Sequence, residues 1–302
     1  MDAPLTLATP SKDDRKHAFR NATWPERLAM HEAIAAHKAE AIAARRDLGR
    51  RYLVRHPAGC EVTRERAIAQ QDLAAETLGA SEEAIRLAVG RTAQHNNGSL
   101  EFPVLAHDFD ADSETLRLAV SPLVIAPIVR YFGMLPVLFN LFVTRAHTTA
   151  FLEHTAHMFH LDPEDVVSLK VFIHLTDVDD DCGPFHALPA NLTQKILDEV
   201  PYRGIGRITD EQVGELAGWD NVVKVMGPPG TVAFADTTRC LHFGGRPRKP
   251  GKPVRDMLVF QYLLPTSLLF PIDGDTRHPR FLPQLEPRGE AEWDALIGAT
   301  HT

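Results

Sequence analysis

The chain has 302 residues, of which 44% are hydrophobic and 24% charged, which excludes wholesale disorder and fibrous repeats and suffices for a full core. Lys and Arg number 32 against 40 Asp and Glu, a net charge of −8, a balance that serves a phosphate backbone poorly and argues against nucleic acid as a partner. The three cysteines, Cys60, Cys182 and Cys240, lie far apart with no C-x-x-C pair, so neither a disulfide framework nor a thiolate zinc site is expected.

In chain order, residues 1–133 read as mainly helical. Met1 to Pro10 has no basic stretch leading into an apolar one, so no secretory signal is expected. Glu26 to Arg50 is rich in good helix formers, with Met30, Ala33, Ile34, His37 and Ala41 on one stripe. Thr63 is placed to cap a second helix ending at Gly79, and Ser81, followed by Glu82 and Glu83, a third ending at Gly90. Ser121-Pro122 opens another toward Gly133, with a kink expected at Pro127. The most apolar run, Leu118 to Val143, is broken by Arg130, Gly133, Pro136 and Asn140, short of the ~20 continuous apolar residues that cross a membrane. The chain is therefore expected to be cytoplasmic, with no membrane partner.

Beyond Gly133 the period changes. Val137 to Thr144 is β-branched and aromatic, as strands are. Ser168 to Val178 alternates, with Leu169, Val171, Ile173 and Leu175 on one face and Lys170, Phe172, His174 and Thr176 on the other. Gly227-Pro-Pro-Gly230 is a turn; Thr231 to Ala235, Arg239 to Gly244 and Val254 to Leu264 follow as strands, and a short helix is expected near Ala291 to Ile297. Short strands between Gly/Pro turns suggest a sandwich or barrel. The expected fold class is α+β with a mainly β core at 134–270, a helical region at 1–133 packed around it, and a tail at 271–302, all in a single domain over 1–302.

Histidine is the compositional signal that points to chemistry. Six of the 15, His147, His154, His157, His160, His174 and His186, fall within 40 residues, where an even spread would put about two. On an extended chain, residues i and i+2 point to the same side, so His160 and Asp162 would present a nitrogen and a carboxylate oxygen to one point. With the distant His242 they would make a two-histidine, one-carboxylate facial triad, which leaves open positions on an Fe(II). Arg255, at the start of the last strong strand, is the candidate clamp for a carboxylate.

In that order these residues resemble the phytanoyl-CoA dioxygenase-like branch of the non-haem Fe(II)/2-oxoglutarate-dependent oxygenases. The likeness is carried by Phe159-His-Leu-Asp162, Leu169 to Val178, Asp181-Cys-Gly-Pro-Phe185, Gly230 to Asp236, Cys240-Leu-His242 and Arg255, roughly residues 145 to 265. It implies a double-stranded β-helix, or jelly-roll barrel, with iron held by His160, Asp162 and His242. It further implies 2-oxoglutarate as cosubstrate, its far carboxylate on Arg255, with dioxygen as the second cosubstrate and a small-molecule substrate hydroxylated at an unactivated C–H bond. Lys170, His157 and Thr176 are further candidates around the cosubstrate. Asp162 favours hydroxylation over halogenation, since related halogenases carry a small residue there. The chain departs from the family pattern at His157, where glutamine is common, at Gly244, where a small polar residue is common, and at Cys182, where asparagine usually stands. Arg255 lies 13 residues past His242, longer than usual, which leaves Arg246 and Arg248 as competitors for the anion.

Other signals read as structural. His31-Glu32 lacks the second histidine of a zinc protease motif, because Ala35 stands there; Gly227 to Gly230 lacks the Gly-Lys of a phosphate loop; and no G-x-S-x-G elbow is present. Asp177 and Asp179 to Asp181 read as a solvated loop. Cys240 shares strand parity with His242 but reads as a small buried hydrophobe, and Lys170 is evenly balanced between solvent and an inward face. Arg246, Arg248, Lys249 and Lys252 cluster between His242 and Arg255 and would suit an anionic substrate group. A non-catalytic jelly-roll metal site and a zinc cupin-like hydrolase remain the alternative readings.

Overall fold

A computed structural model describes residues 22–91, 100–146, 156–163, 165–202, 206–246, 255–273, 276–277 and 282–299. Its strands are β1 (Ile68–Asp72), β2 (Leu100–Val104), β3 (Val137–Ala146), β4 (Ser168–His174), β5 (Phe185–Ala187), β6 (Val223–Val225), β7 (Thr231–Asp236), β8 (His242–Phe243) and β9 (Arg255–Leu263). They form two antiparallel sheets, of order β1-β7-β4-β9-β3-β2 and β6-β5-β8. The centre of the larger sheet is its most apolar part: every residue of β9 is buried, as a strand flanked on both edges and covered on both faces requires. The stacked rings of Phe172 on β4 and Phe185 on β5, 4.5 Å apart, join the two sheets.

The helices are α1 (Trp24–His37), α2 (Ala39–Arg55), α3 (Ala74–Ala88), α4 (Glu114–Ala119), α5 (Pro122–Phe132), α6 (Ala190–Glu199), α7 (Asp210–Leu216) and α8 (Ala291–Leu296). Helix α5 follows its sequence signals closely. Ser121 is its N-cap, Pro122 its first residue, and Gly133 closes it at φ +74°, the left-handed conformation that glycine takes without strain. Against expectation, one stretch, Glu114–Phe132, is long and apolar enough to span a membrane. It is divided between α4 and α5, and 67% of its apolar window is buried inside the protein, where it serves as core.

Four expectations change. The single helix over 26–50 is two helices, broken at Lys38, whose backbone (φ −97°, ψ 23°) leaves the helical region. The break lets each half bury its own face: Met30 and Ile34 of α1 pack with Val166 and Leu268, whereas α2 turns Ile42, Arg45, Gly49 and Tyr52 inward and leaves Ala41 exposed. The helix expected from Thr63 to Gly79 is helical only from Ala74 on; before it stands β1, which pairs with β7 from Ile68↔Ala235 to Asp72↔Thr231, where an available sheet edge overrides local propensity. Helix α3 then runs unbroken through Gly79 and Ser81, and Gly79 lies against Glu114 of α4, 3.6 Å from where a Cβ would stand. The strand expected over Arg239 to Gly244 shrinks to β8, since Arg239 and Cys240 both donate their amides to the Asp236 carbonyl in a turn.

Gly230 anchors the crossing of β1 into α3. Its carbonyl accepts the Leu73 amide at 3.0 Å, its φ is +88°, and a Cβ there would lie 2.2 Å from Ala74 Cα. Gly230→Ala is expected to destabilise the protein by more than ~2 kcal/mol, combining strain with a backbone clash. Urea denaturation measures this, and an unchanged midpoint would show that the crossing shifts freely.

Candidate metal centre

The site begins with two short main-chain ladders. His160 and His242 exchange both amide hydrogen bonds, each at 3.0 Å, in an isolated antiparallel bridge, and the Asp162 amide donates to the Thr237 carbonyl at 2.9 Å. The first ligand pair thus lies on a bridge rather than on a continuous strand, but the extended geometry still sends His160 and Asp162 to one side. The neighbouring residues go the other way: Phe159 and Phe243 meet edge to face, 4.7 Å apart, within a second apolar cluster.

The ligand atoms of His160, Asp162 and His242 all lie within 4.8 Å of one another. Asp162 Oδ1 is 3.9 Å from His160 Nε2 and 3.8 Å from His242 Nε2. Each imidazole is fixed by the carbonyl two residues before it: His160 Nδ1 donates to Met158 at 2.8 Å, and His242 Nδ1 to Cys240 at 2.9 Å. A carbonyl only accepts, so the proton sits on Nδ1 and both Nε2 lone pairs face Asp162 Oδ1. Burial, with His242 alongside, pushes the His160 pKa down to about 3, and burial also lowers that of His242. Burial alone would raise the pKa of Asp162; the Lys170 ammonium, then His242 and His160, outweigh it and hold the carboxyl well below the usual range. Two neutral imidazoles and an ionised carboxylate are the protonation states that ligate a divalent cation, so donor chemistry and spacing both fit a metal ion.

Lys170 points inward from β4, and its Nζ lies 2.6 Å from Asp162 Oδ2, leaving Oδ1 to face the histidines. Arg255, at the head of β9, is 1% exposed, and its Nε and Nη1 are buried with no hydrogen-bond partner among the described residues. Burial pushes its pKa down to about 10, so it stays charged at neutral pH. Gly244 leaves room beside it: a Cβ there would lie 3.3 Å from Arg255 Nη2. The triad, Lys170, Gly244 and Arg255 line one cavity of about 790 Å³ between the sheets, within the range of small-molecule sites.

The other candidates lie elsewhere. Arg246 is committed: its Nη1 and Nη2 bind Asp210 at 2.8 and 3.1 Å, its guanidinium covers the Phe243 ring, and its Nε donates to the His157 carbonyl. His157 is buried beneath it and is not a lining residue of the cavity. Thr176 follows the end of β4, and its hydroxyl accepts the Asp256 amide at 3.3 Å, also away from the cavity. The Cys240 thiol donates toward the Arg66 and Ala67 carbonyls. Arg248, Lys249, Lys252, His147 and His154 lie outside the described residues. Sequence reasoning did not single out Asn140, Phe142 and Thr144, which line the cavity from alternate positions of β3; the period-two pattern of that strand is the signal that groups them.

No family model and no curated protein matches the sequence. Among solved structures, the chain is similar to the epimerase SnoN of nogalamycin biosynthesis in complex with Fe3+, alpha ketoglutarate and nogalamycin RO, at 19% identity over 85% of this chain and 93% of that one, with a TM-score of 0.48. It is also similar to EctD from S. alaskensis with bound Fe, at 17% identity over 74% and 82% with a TM-score of 0.49. A third is HygX from Streptomyces hygroscopicus with nickel and 2-oxoglutarate bound, at 13% identity over 68% and 88% with a TM-score of 0.45. Likenesses this distant carry no chemistry across, and function has to be read from the site. What this chain itself presents is a two-sheet scaffold that gathers two imidazoles and a carboxylate at the wall of a cavity.

Proposed function

We propose that the chain is a non-haem Fe(II)/2-oxoglutarate-dependent oxygenase of the phytanoyl-CoA dioxygenase-like type, acting in the cytoplasm to hydroxylate a C–H bond of a small molecule. Its two sheets would be the two walls of a double-stranded β-helix. The observation that carries this reading is the buried guanidinium of Arg255, with unpartnered Nε and Nη1, in the same cavity as the three convergent ligands. Unpaired N–H groups on a buried cation are costly until an anion fills them. A ligand set with open positions at one place and a carboxylate clamp at another call for a chelating dicarboxylate, which 2-oxoglutarate is. A zinc hydrolase or a structural metal site has no use for that clamp.

His160 Nε2, His242 Nε2 and Asp162 Oδ1 would hold the ion, and Arg255 the far carboxylate of the cosubstrate. Bound Fe(II), with 2-oxoglutarate and dioxygen, would supply the oxidation, one oxygen atom going to the substrate carbon and the other to succinate as carbon dioxide leaves. Lys170 keeps Asp162 Oδ2 engaged and thereby fixes which oxygen is offered to the metal. Phe172 and Phe185, stacked between the sheets, give the cavity an apolar wall near the ligands.

Anaerobic addition of Fe(II) and then 2-oxoglutarate to the metal-free protein is expected to give the weak visible metal-to-ligand charge-transfer band. His160→Ala loses the band, whereas Arg246→Ala keeps it, since Arg246 serves Asp210 and not the cavity. Tight metal binding without a band would move the reading to a structural or hydrolytic site, and loss of the band in Arg246→Ala would return that arginine to the anion site.

A further inference from the structure

The wall of the cavity beyond the metal ligands is a regular grid. In the β3–β9 register, Asn140 faces Gln261, Phe142 faces Val259 and Thr144 faces Met257, and all six line the cavity. Phe102 on β2 extends this surface, with its ring edge-on to Phe142 at 5.6 Å. Among the described lining residues, histidines aside, the charged side chains are Asp162, Lys170 and Arg255. Asp162 and Lys170 bind each other at 2.6 Å, and Arg255 belongs to the cosubstrate on the reading above. Apart from the exposed imidazole of His107, a charged group on a second ligand would meet aromatic rings, aliphatic side chains and neutral amides, with no described counter-charge left to it. An isolated charge moved from water onto such a surface loses far more than it gains, whereas apolar surface laid there gains about 25 cal/mol per Å². Two lining hydroxyls, Thr144 Oγ1 and Thr237 Oγ1, are buried without a hydrogen-bond partner among the described residues. Thr237 belongs to the metal side of the cavity, where its carbonyl accepts the Asp162 amide, which leaves Thr144 as the polar hook on this wall, suited to a single neutral oxygen.

We propose that the substrate is an uncharged, predominantly apolar molecule with a flat ring face, docked against Phe102, Phe142, Val259 and Met257, with at most a hydroxyl or carbonyl oxygen reaching Thr144. This substrate class rests on the oxygenase reading, because Arg255 counts as spoken for only if 2-oxoglutarate binds there. It runs against the expectation of an anionic substrate drawn from the basic loop, whose residues beyond Arg246 lie outside the described part of the chain.

The test uses three probes of one shape and three charges: 2-naphthylmethanol, 2-naphthoate and 2-naphthylmethylammonium. Calorimetric titrations are made on the whole chain, metal-free and again with Fe(II) and 2-oxoglutarate under anaerobic conditions, where the charge-transfer band is recorded in the same sample. The neutral alcohol is expected to bind at least ~10-fold more tightly than either charged congener in the loaded protein. Phe142→Ala is expected to weaken that binding by roughly 10-fold. Phe102→Asp, at a half-buried position on an edge strand, keeps the test open if the first variant fails to fold, and shifts the preference toward the ammonium probe. Equal or tighter binding of the naphthoate or the ammonium by the unmodified chain loaded with Fe(II) and 2-oxoglutarate overturns the proposal. Failure of all three to bind while the band is intact overturns it too and leaves the oxygenase reading standing. The charge preference in both preparations without any band supports the apolar ligand surface and sinks the oxygenase reading instead.

Discussion

Arg255→Met is expected to lower 2-oxoglutarate affinity by roughly 10²–10³-fold while leaving the metal-free protein as stable as before, or more so. Most buried residues behave in the opposite way, and the reason is the state of the guanidinium before any cosubstrate arrives. Among the described residues, Arg255 is the largest of the fully buried side chains, and its Nε and Nη1 find no hydrogen-bond partner there. The carboxylate next to it in sequence, Asp256, is taken by Arg145, which binds both its oxygens at 2.9 and 2.7 Å. Methionine fills much of the same volume without a charge to desolvate, so the fold is expected to gain up to ~1–3 kcal/mol. Arg255→Lys keeps the charge but loses the paired N–H fork and should fall between the two. Thermal melts of metal-free protein give the first quantity, and anaerobic titration of the charge-transfer band gives the second. Unchanged 2-oxoglutarate affinity in Arg255→Met would remove the anion site from this position.

Asp162→Ala is expected to abolish metal binding and, independently, to destabilise the metal-free fold by roughly 3 kcal/mol, because it leaves the Lys170 ammonium buried without its carboxylate. The two losses separate in a double variant. Adding Lys170→Met should restore most of the stability and none of the metal, whereas Lys170→Met alone should keep the ion at roughly 10–100-fold weaker affinity, as loss of a group supporting a ligand does. Denaturant midpoints of the four proteins, with metal titrations beside them, close the cycle. If Lys170→Met fails to rescue stability, the ion pair is not what the carboxylate contributes to the fold.

The triad was legible from spacing alone, since His160 and Asp162 need only a locally extended chain and the structure supplies that through a two-residue bridge. The choice among Arg246, Arg248 and Arg255 was not legible. Arg246 and Arg255 are equally cationic on paper; what separates them is that Asp210, far from both in sequence except through the fold, occupies Arg246. Strand parity grouped Lys170 with His174 but left it evenly balanced between solvent and the interior, and its contact with Asp162 depends on how β4 lies against the bridge, which no local pattern records. The same holds for β1, Ile-Ala-Gln-Gln-Asp, which has little strand propensity and becomes a strand because β7 offers it an edge. The aromatic wall was missed for a related reason: Phe102, Phe142 and Val259 come from three separate segments, and periodicity describes one segment at a time.

The placement of β1 and β2 at the two margins of the larger sheet has a consequence for how the protein may be cut. Every candidate metal ligand and the candidate anion clamp lie beyond residue 134, so a fragment beginning there looks self-sufficient by its chemistry. Such a fragment would carry β7 and β3 as raw outer strands, each with a row of main-chain donors and acceptors open to a second copy. The chain before residue 134 is, in that sense, the hem of the sheet: its described residues supply none of the candidate ligands, and β1 and β2 are what keep the outer edges of β7 and β3 covered.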